Sequence, residues 1–322
     1  MHDRDSLHRF IFEHYPIRGH LVHLDASWHA LIEHREYPGV IREVLGEAVV
    51  ASLLLAATIK FQGVLSLQLQ GTGAVQLLLA QCTSGLGVRG LARYREDLEA
   101  RATTGGLHEL IGAGNLTVTL ESDDGSQRYQ GIVPITGARL ADSLQIYFEN
   151  SEQLPTRLWL YADERGAAGM LLQRLPGERG PAAPGAVAAG TAASGTAAPG
   201  TAVADPAAID DAWRRVQLIG ATLTPEELRS LADAEIVHRL FNEDDVRIFE
   251  PAPVYFRCRC SRDRVSGMLQ GLGETETRSI LAERGEVEVR CDFCNRAYVF
   301  DAVDVSQLFN KGVASDASSS VH

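Results

Sequence analysis

Two short cysteine pairs near the C-terminal end of the chain constrain its fold more than any other feature. Cys258 and Cys260 are separated by one residue, thirty residues follow, and Cys291 and Cys294 are then separated by two. Zinc prefers thiolate sulfur at about 2.3 Å, and four thiolates complete a tetrahedral shell that leaves no position for a substrate. The spacing therefore predicts one Zn²⁺ per chain, bound by these four residues at a closed, non-catalytic site.

The segment that contains the four cysteines is short. We predict that residues 251–306 form a small C-terminal zinc-binding domain and that residues 307–322 are a disordered tail. A domain of this size has a marginal hydrophobic core, and a bound metal commonly supplies the missing stability. The zinc is therefore expected to hold this domain together.

Spacing alone leaves three interpretations of the cysteines open. It favours a permanently structural zinc ribbon, with a redox switch and permanent disulfides as the alternatives. The relative size of two free energies favours the switch, because structural zinc binding contributes about 10 to 16 kcal/mol whereas whole domains are stable by about 5 to 15 kcal/mol. Oxidation of the ligands should then unfold the domain. Each pair can close on itself, and the small ring from Cys258 to Cys260 is expected to be strained and therefore labile.

Residues 1–176 carry the pattern of an N-terminal α+β domain. Residues 7–24 are β-rich, and the apolar stretch 40–59 predicts a buried helix. Five short β-type runs follow at 64–70, 74–82, 88–94, 116–121 and 129–135. A helix at 139–151 and two further strands at 156–161 and 169–175 come after them. The fourth and fifth runs are expected to pair across Asp123-Asp124-Gly125, because Asp-Gly readily adopts the positive φ angles of tight turns.

Residues 177–206 are predicted to be a flexible linker. The segment is mostly Ala, Gly, Thr and Pro, a composition that buries too little apolar surface to offset the entropy of the chain.

A helical middle region is predicted at 207–250. In it, Thr224-Pro225-Glu226-Glu227 combines an N-cap, a proline at the first helical position and a capping box. One amphipathic helix should follow, with an apolar stripe from Leu228 to Phe241 and the acidic residues Asp233, Glu235 and Glu243 on its other face. Such a helix must dock its stripe on another element to be stable.

Charge and the lack of targeting signals limit the class of protein. The chain has 42 acidic and 30 basic residues and a net charge of -12, which argues against a nucleic-acid partner. Its start does not resemble a signal peptide, and no run of about 18 apolar residues predicts a membrane helix. We therefore expect a cytoplasmic protein with no membrane partner, and in that reducing compartment paired cysteines indicate metal or redox chemistry. Since no hydrolase motif is present, we do not expect an enzyme.

Three weaker signals receive structural interpretations. Gly85-Leu-Gly87-Val-Arg-Gly90 matches a dinucleotide-binding pattern, but its context predicts a hairpin. Seven of the ten histidines, including His20 and His23, lie in the first 34 residues; these could form a metal site or a pH sensor, but we expect scattered surface residues. Cys82 is expected to be an inert core residue.

The sequence resembles the redox-regulated 33-kDa heat-shock chaperonins of bacteria. The specific part of the resemblance is Phe256-Arg-Cys258-Arg-Cys260-Ser261, together with Cys291-Asp-Phe-Cys294 and the following Tyr298-Val-Phe300. The stretches Phe148-Glu-Asn-Ser-Glu-Gln-Leu-Pro-Thr-Arg157 and Phe241-Asn-Glu-Asp-Asp-Val246 also look like family segments, so the similarity extends over most of the chain.

The resemblance implies an ATP-independent holdase that is inactive while reduced and zinc-loaded. Oxidant together with unfolding stress would convert the ligands into two disulfides, Cys258–Cys260 and Cys291–Cys294, and release the metal. A middle region, here within 207–250, would then unfold and expose apolar surface to unfolding client proteins, and the oxidised form would be a homodimer. The Ala/Gly/Pro-rich linker is longer than the resemblance leads us to expect. The alternative is a structural zinc-ribbon module that recruits a protein or nucleic-acid partner.

Overall fold

A computed structural model of the chain describes residues 5–95, 106–176 and 205–310. Its contacts divide the chain after Arg257 into two compact units. The predicted linker at 177–206 lies outside the described residues, apart from its last two positions. Among the described segments, none of the helices has the length and apolarity to cross a bilayer.

A central helix organises the first unit. Helix Gly39–Thr58 has twelve buried residues among its twenty, and it packs against strands of two different sheets. A helix buried on nearly all sides needs cover on more than one side, which two sheets provide. This confirms the buried helix predicted at 40–59.

The first sheet is antiparallel throughout. Its strands are β1 (Ser6–Phe12), β2 (Ile17–Leu24), β8 (Thr156–Ala162), β9 (Ala167–Arg174), β10 (Val246–Ile248) and β11 (Ala252–Pro253). The order is β10-β1-β2-β9-β8, with β11 also paired to β1. One face of this sheet packs on the central helix, and alternate residues of β1 and β2 therefore point to its other face.

The second sheet contains the predicted hairpins. Its strands are β3 (Gly63–Gly71), β4 (Val75–Thr83), β5 (Gly87–Tyr94), β6 (Gly114–Ser122), β7 (Arg128–Pro134) and β12 (Tyr255–Phe256), in the order β12-β5-β4-β3-β6-β7. β6 and β7 pair in antiparallel fashion across a turn in which Gly125 has φ +69°. β4 and β5 also form an antiparallel hairpin, which confirms the structural interpretation of the Gly85–Gly90 motif.

Shorter helices complete the domain. With the central helix as α2, these are α1 (Ala26–Ile32), α3 (Leu107–Ile111) and α4 (Leu140–Tyr147), and α4 continues as a π-helix at Phe148–Glu152. The helix predicted at 139–151 is therefore present, with a change of helical hydrogen bonding in its second half.

Three helices cover the free face of the first sheet. They are α5 (Pro206–Gly220), α6 (Pro225–Ser230) and α7 (Asp233–Phe241). Their apolar residues and those of β1, β2 and β9 form one cluster, which we call the middle cluster: Phe10, Phe12, Ile17, Leu21, Ala168, Met170, Leu172, Ala212, Trp213, Val216, Leu223, Leu228, Ile236, Val237, Leu240 and Phe241.

The single helix predicted from Thr224 to Phe241 is wrong. Leu231 and Ala232 have extended backbone angles and separate α6 from α7. Each helix has its own cap, since Thr224 accepts from the Glu227 amide and the Glu235 carboxylate accepts from the Ala232 amide. The break also changes which residues face inward, so that Asp233, predicted to lie on the exposed face, is buried.

The second unit is small. It consists of α8 (Arg262–Leu272), α9 (Glu274–Arg284), the hairpin of β13 (Val287–Arg290) and β14 (Ala297–Phe300), and α10 (Ala302–Asn310). Its six buried apolar residues are Val265, Leu269, Val287, Tyr298, Phe300 and Val305. So small a core supports the expectation that this unit needs further stabilisation.

The structure differs from the predicted boundaries of this unit at both ends. We predicted a start at Pro251, but β11 and β12 belong to the two large sheets and the unit begins at Cys258. We predicted a disordered tail from 307, but α10 continues to Asn310. The residues after Asn310 lie outside the described part of the chain.

Candidate metal centre

The four predicted ligands come from two loops of the second unit. Cys258 and Cys260 lie directly before α8, whose N-cap Ser261 accepts a hydrogen bond from the Arg264 amide. Cys291 follows β13, and Cys294 lies in the turn that leads to β14. The β13–β14 hairpin therefore carries one pair, and the start of α8 positions the other.

The sulfur atoms form a compact cage. All four Sγ atoms lie within 4.8 Å of one another; Cys258 is 3.5 Å from Cys291 and Cys260 is 3.4 Å from Cys294. Four thiolates at about 2.3 Å from a tetrahedral zinc ion would be about 3.8 Å apart. The cage therefore fits such an ion in size, in ligand number and in donor type.

Local backbone hydrogen bonds shape the second pair. The amide of Cys291 donates to the carbonyl of Arg296 at 3.0 Å, and the amide of Asn295 donates to the carbonyl of Cys291 at 2.8 Å. Asn295 has φ +52°, a left-handed conformation that Asn tolerates better than most residues. The resulting tight turn brings the sulfur of Cys294 back toward that of Cys291.

The thiols of the first pair differ in acidity. Burial raises the pKa of Cys258. Burial also raises the pKa of Cys260, but the Tyr298 hydroxyl, whose Oη donates to Sγ at 3.1 Å, and the neighbouring thiols outweigh it and lower that pKa to about 7. Hydrogen bonding that favours a thiolate also favours metal ligation, because the thiolate is the form that binds.

An arginine ties the elements around the cage together. Arg262, the first residue of α8, donates to the Val299 carbonyl at 2.8 Å and pairs with Asp304 at 2.7 Å. Its guanidinium also lies 4.2 Å from the centre of the Phe300 ring. These contacts join α8 to β14 and α10, and α8 and β14 are the elements that directly follow the two cysteine-bearing loops.

The other candidate residues lie elsewhere. Cys82 is fully buried in the core of the first unit, where burial raises its pKa to about 12, so the prediction of an inert core residue is confirmed. The prediction that the early histidines are scattered over the surface is wrong for His20 and His23, which are both buried. Burial, with the nearby Arg18 and Arg9, lowers the pKa of His20 to about 3 and keeps that ring neutral.

A second group of ionisable side chains that lie together was not predicted from the sequence. His8 and His23 both contact the carboxylate of Asp233, far from the sulfur cage in sequence. The inward position of Asp233 could have been inferred from the sequence, because Asp233 lies three and four residues before Ile236 and Val237 and so shares their face of a helix. The assumption of one continuous helix from Thr224 placed it on the opposite face.

Comparison with known proteins shows what the whole chain resembles. The family model described as Hsp33 protein matches residues 5–301. The 33 kDa chaperonin of Nitrosococcus oceani is 45% identical over 322 residues, which is 100% of both chains. The 33 kDa chaperonin of Methylobacillus flagellatus is 42% identical over 306 residues, 95% of this chain and 94% of the relative. The crystal structure of a 33 kDa chaperonin from Thermotoga maritima shares the fold, with a TM-score of 0.74 at 20% identity over 96% of this chain and 99% of that chain.

Proposed function

The chain belongs to the Hsp33 family of chaperones, and from that premise we propose that it is a redox-regulated, ATP-independent holdase of the bacterial cytoplasm. In the reduced state one Zn²⁺ is bound by Cys258, Cys260, Cys291 and Cys294 and the chaperone is inactive. Oxidant and unfolding stress convert the ligands to two disulfides and release the metal. The observation that carries the proposal is the cage of four sulfurs within 4.8 Å of one another, in a chain whose relatives are named chaperonins.

Zinc is the metal that this donor set favours. Four sulfur ligands in a small tetrahedral cage select zinc or iron–sulfur chemistry over the oxygen-loving cations, and a closed cage of thiolates is typical of structural zinc. A bound Zn²⁺ would offset two of the four negative charges of the thiolates and so reduce their mutual repulsion.

The oxidation balances without any further cofactor. Formation of each disulfide removes two electrons from two thiolates, and one molecule of hydrogen peroxide accepts these electrons together with two protons and becomes two molecules of water. Two equivalents of peroxide per chain therefore form both disulfides. Once the sulfurs are bonded to each other, they no longer ligate the metal, and Zn²⁺ leaves.

We propose the pairing Cys258–Cys260 and Cys291–Cys294. The 3.5 Å and 3.4 Å contacts join cysteines of different pairs, so proximity in the reduced state does not select the partners. The entropy of loop closure does, because residues two or three apart stay close after the domain has lost its structure, whereas a loop of more than thirty residues must be closed anew. Pairing within each short motif is therefore favoured as the metal leaves.

Loss of zinc should unfold the second unit. Its core has six buried apolar residues, and the free energy of zinc binding, about 10 to 16 kcal/mol for structural sites, is as large as the whole stability of an ordinary domain. Removal of that contribution leaves a unit that cannot remain folded.

The middle cluster is the client-binding surface in this proposal. α5, α6 and α7 have fifteen, six and nine residues, lengths at which isolated helices are marginal in water. They remain helical because their apolar faces pack on the first sheet. When they detach, both the helix stripes and the sheet face become exposed, and a large exposed apolar surface binds unfolding proteins. The exposed faces also offer a surface on which oxidised chains pair as homodimers.

One experiment tests the proposal as a whole. Purified reduced protein should contain one zinc and five titratable thiols per chain after denaturation, and it should not prevent aggregation of a thermally unfolding client enzyme. After treatment with peroxide at mildly elevated temperature it should contain no zinc and one thiol, that of Cys82, and should suppress aggregation without ATP.

The matched control is Cys82→Ala, which should behave identically but with no remaining thiol. Oxidised protein that keeps its zinc, or that loses zinc and protects nothing, would contradict the proposal. Salt-dependent binding of RNA or DNA by the reduced form would instead favour a recruiting zinc ribbon.

A further inference from the structure

A buried charged cluster lies between the first sheet and the helices that cover it. Asp233 is the first residue of α7, and its side chain is 4% exposed. Nδ1 of His23, on β2, lies 2.6 Å from Oδ1 of this carboxylate, and Nδ1 of His8, on β1, contacts its other oxygen. The two strands therefore present two imidazole rings to one carboxylate on α7.

His23 also contacts the neighbouring helix. Its Nε2 donates to the carbonyl of Leu228 at 2.5 Å. α6 ends at Ser230, so this carbonyl lies in the last turn, where helical carbonyls have no amide partner within the helix. One ring of the sheet thus joins the end of α6 to the start of α7, at the break between the two helices.

The geometry assigns charges to the cluster. Burial raises the pKa of Asp233, but the contacts with His23 and His8 outweigh it and lower that pKa to about 2, so the carboxylate is ionised at neutral pH. Both nitrogens of His23 face atoms that can only accept, a carboxylate oxygen and a carbonyl oxygen. The imidazolium form, with hydrogen on both nitrogens, is therefore the form of the ring that can donate to both acceptors.

A buried ion pair of this kind matters most when one partner is removed. The cost of removing both charged groups from water offsets much of their mutual attraction, but a single unpaired charge that remains in the interior is strongly destabilising. Because Asp233 stands at the N-terminus of α7, the helix dipole also favours its negative charge. When α6 and α7 lift away, the three side chains return to water and the pairing is lost. Opening of these helices therefore requires that both contacts of the Asp233 carboxylate are broken.

We propose that His8, His23 and Asp233 form an electrostatic latch that holds α6 and α7 on the first sheet while the protein is reduced. The latch is a second control of activation. It is located in the first unit and acts in addition to the cysteine cage of the second unit. What opening achieves rests on the proposed holdase function, whereas the latch itself is a statement about the stability of α6 and α7.

The test compares two isosteric changes of carboxylate to amide. Asp233→Asn removes the buried charge, and Glu226→Gln removes a charge on α6 whose side chain is 73% exposed and pairs with Arg229. Hydrogen exchange of the α6 and α7 amides is measured in the reduced, zinc-loaded full-length proteins. Asp233→Asn should increase exchange on the order of a hundredfold, whereas Glu226→Gln should change it by less than about threefold. Both proteins should retain one zinc per chain.

A milder variant keeps the test decisive if Asp233→Asn does not fold. His8→Gln leaves the His23–Asp233 pair in place, and it should accelerate exchange about tenfold. Exchange in the folded variants that does not exceed that of Glu226→Gln would overturn the latch.

The latch and the holdase function fail separately. If oxidised wild-type protein does not suppress client aggregation, the holdase proposal fails, and the exchange data still decide the latch. If the oxidised wild type protects clients, reduced Asp233→Asn should protect them at mildly elevated temperature with its zinc still bound. Absence of that protection in a variant with accelerated exchange would show that release of α6 and α7 is not the activating event, and would overturn the regulatory part of the proposal.

Discussion

Phe241→Ala is expected to release the middle helices without oxidation. Phe241 is the last residue of α7 and is 2% exposed. Its ring centre lies 5.1 Å from that of Phe12 in an edge-on arrangement and 6.1 Å from that of Phe10. Both partners belong to β1, so this side chain joins α7 directly to the first sheet.

The size of the effect follows from burial. Replacement of a buried phenylalanine by alanine costs about 3 to 5 kcal/mol, because apolar contact is lost and a cavity remains. The rings of Phe10 and Phe12 stay on the sheet, so the loss falls on the docking of α7. At 1.4 kcal/mol for each factor of ten, the open fraction of the middle helices should rise by more than about a hundredfold.

Hydrogen exchange of the reduced, zinc-loaded protein measures this opening. Amides of α5 to α7 should exchange faster, while those of α2, which packs on the opposite face of the sheet, should be unchanged. Leu218→Ala is the matched control, since Leu218 lies on α5 and is 67% exposed. Exchange of the α7 amides that is no faster in Phe241→Ala than in Leu218→Ala would refute this prediction, because the buried rings would then contribute nothing to docking.

Three further outcomes are expected. Chelation of zinc from the reduced protein should unfold residues 258–310 and leave the first unit folded, which circular dichroism and limited proteolysis will show. Gly19→Ala should destabilise the first unit by about 1 to 3 kcal/mol in a denaturant titration, because the added Cβ would lie 2.0 Å from Cζ of Phe10. Asp233 has a pKa of about 2 in the folded protein, below its ordinary value of 3.8, so its stabilising effect is complete above that ordinary value and is lost as pH falls. The free energy of unfolding of wild type should therefore exceed that of Asp233→Asn by about 2 kcal/mol more at pH 5 than at pH 2.

Local patterns in the sequence were sufficient for much of the fold. The largely apolar stretch at 40–59 predicted α2, because a helical segment so rich in apolar residues must be buried whatever surrounds it. The turn at Asp123-Asp124-Gly125 predicted the β6–β7 hairpin, because its register is set within a few residues. Each of these predictions depended on interactions between neighbours in the chain.

Predictions that needed distant partners failed. The break at Leu231 and Ala232 was missed because each of the two short helices is stable only where it packs on the first sheet, and helical periodicity does not show where that surface ends. The boundary predicted at Pro251 was early because β11 and β12 have only two residues each. Strands this short have no recognisable sequence pattern and are defined only by the strands they pair with.

The sequence by itself determined the four cysteines of the candidate metal centre and the α+β class, because side-chain chemistry and apolar periodicity are properties of short segments. Only the tertiary structure decided that Asp233 lies inward between His8 and His23. Both histidines are more than two hundred residues from Asp233 in the chain, and no local preference requires these side chains to meet. They meet because the apolar faces of the sheet and the helices exclude water there, and a buried charge is stable only when it is paired with a group of opposite charge.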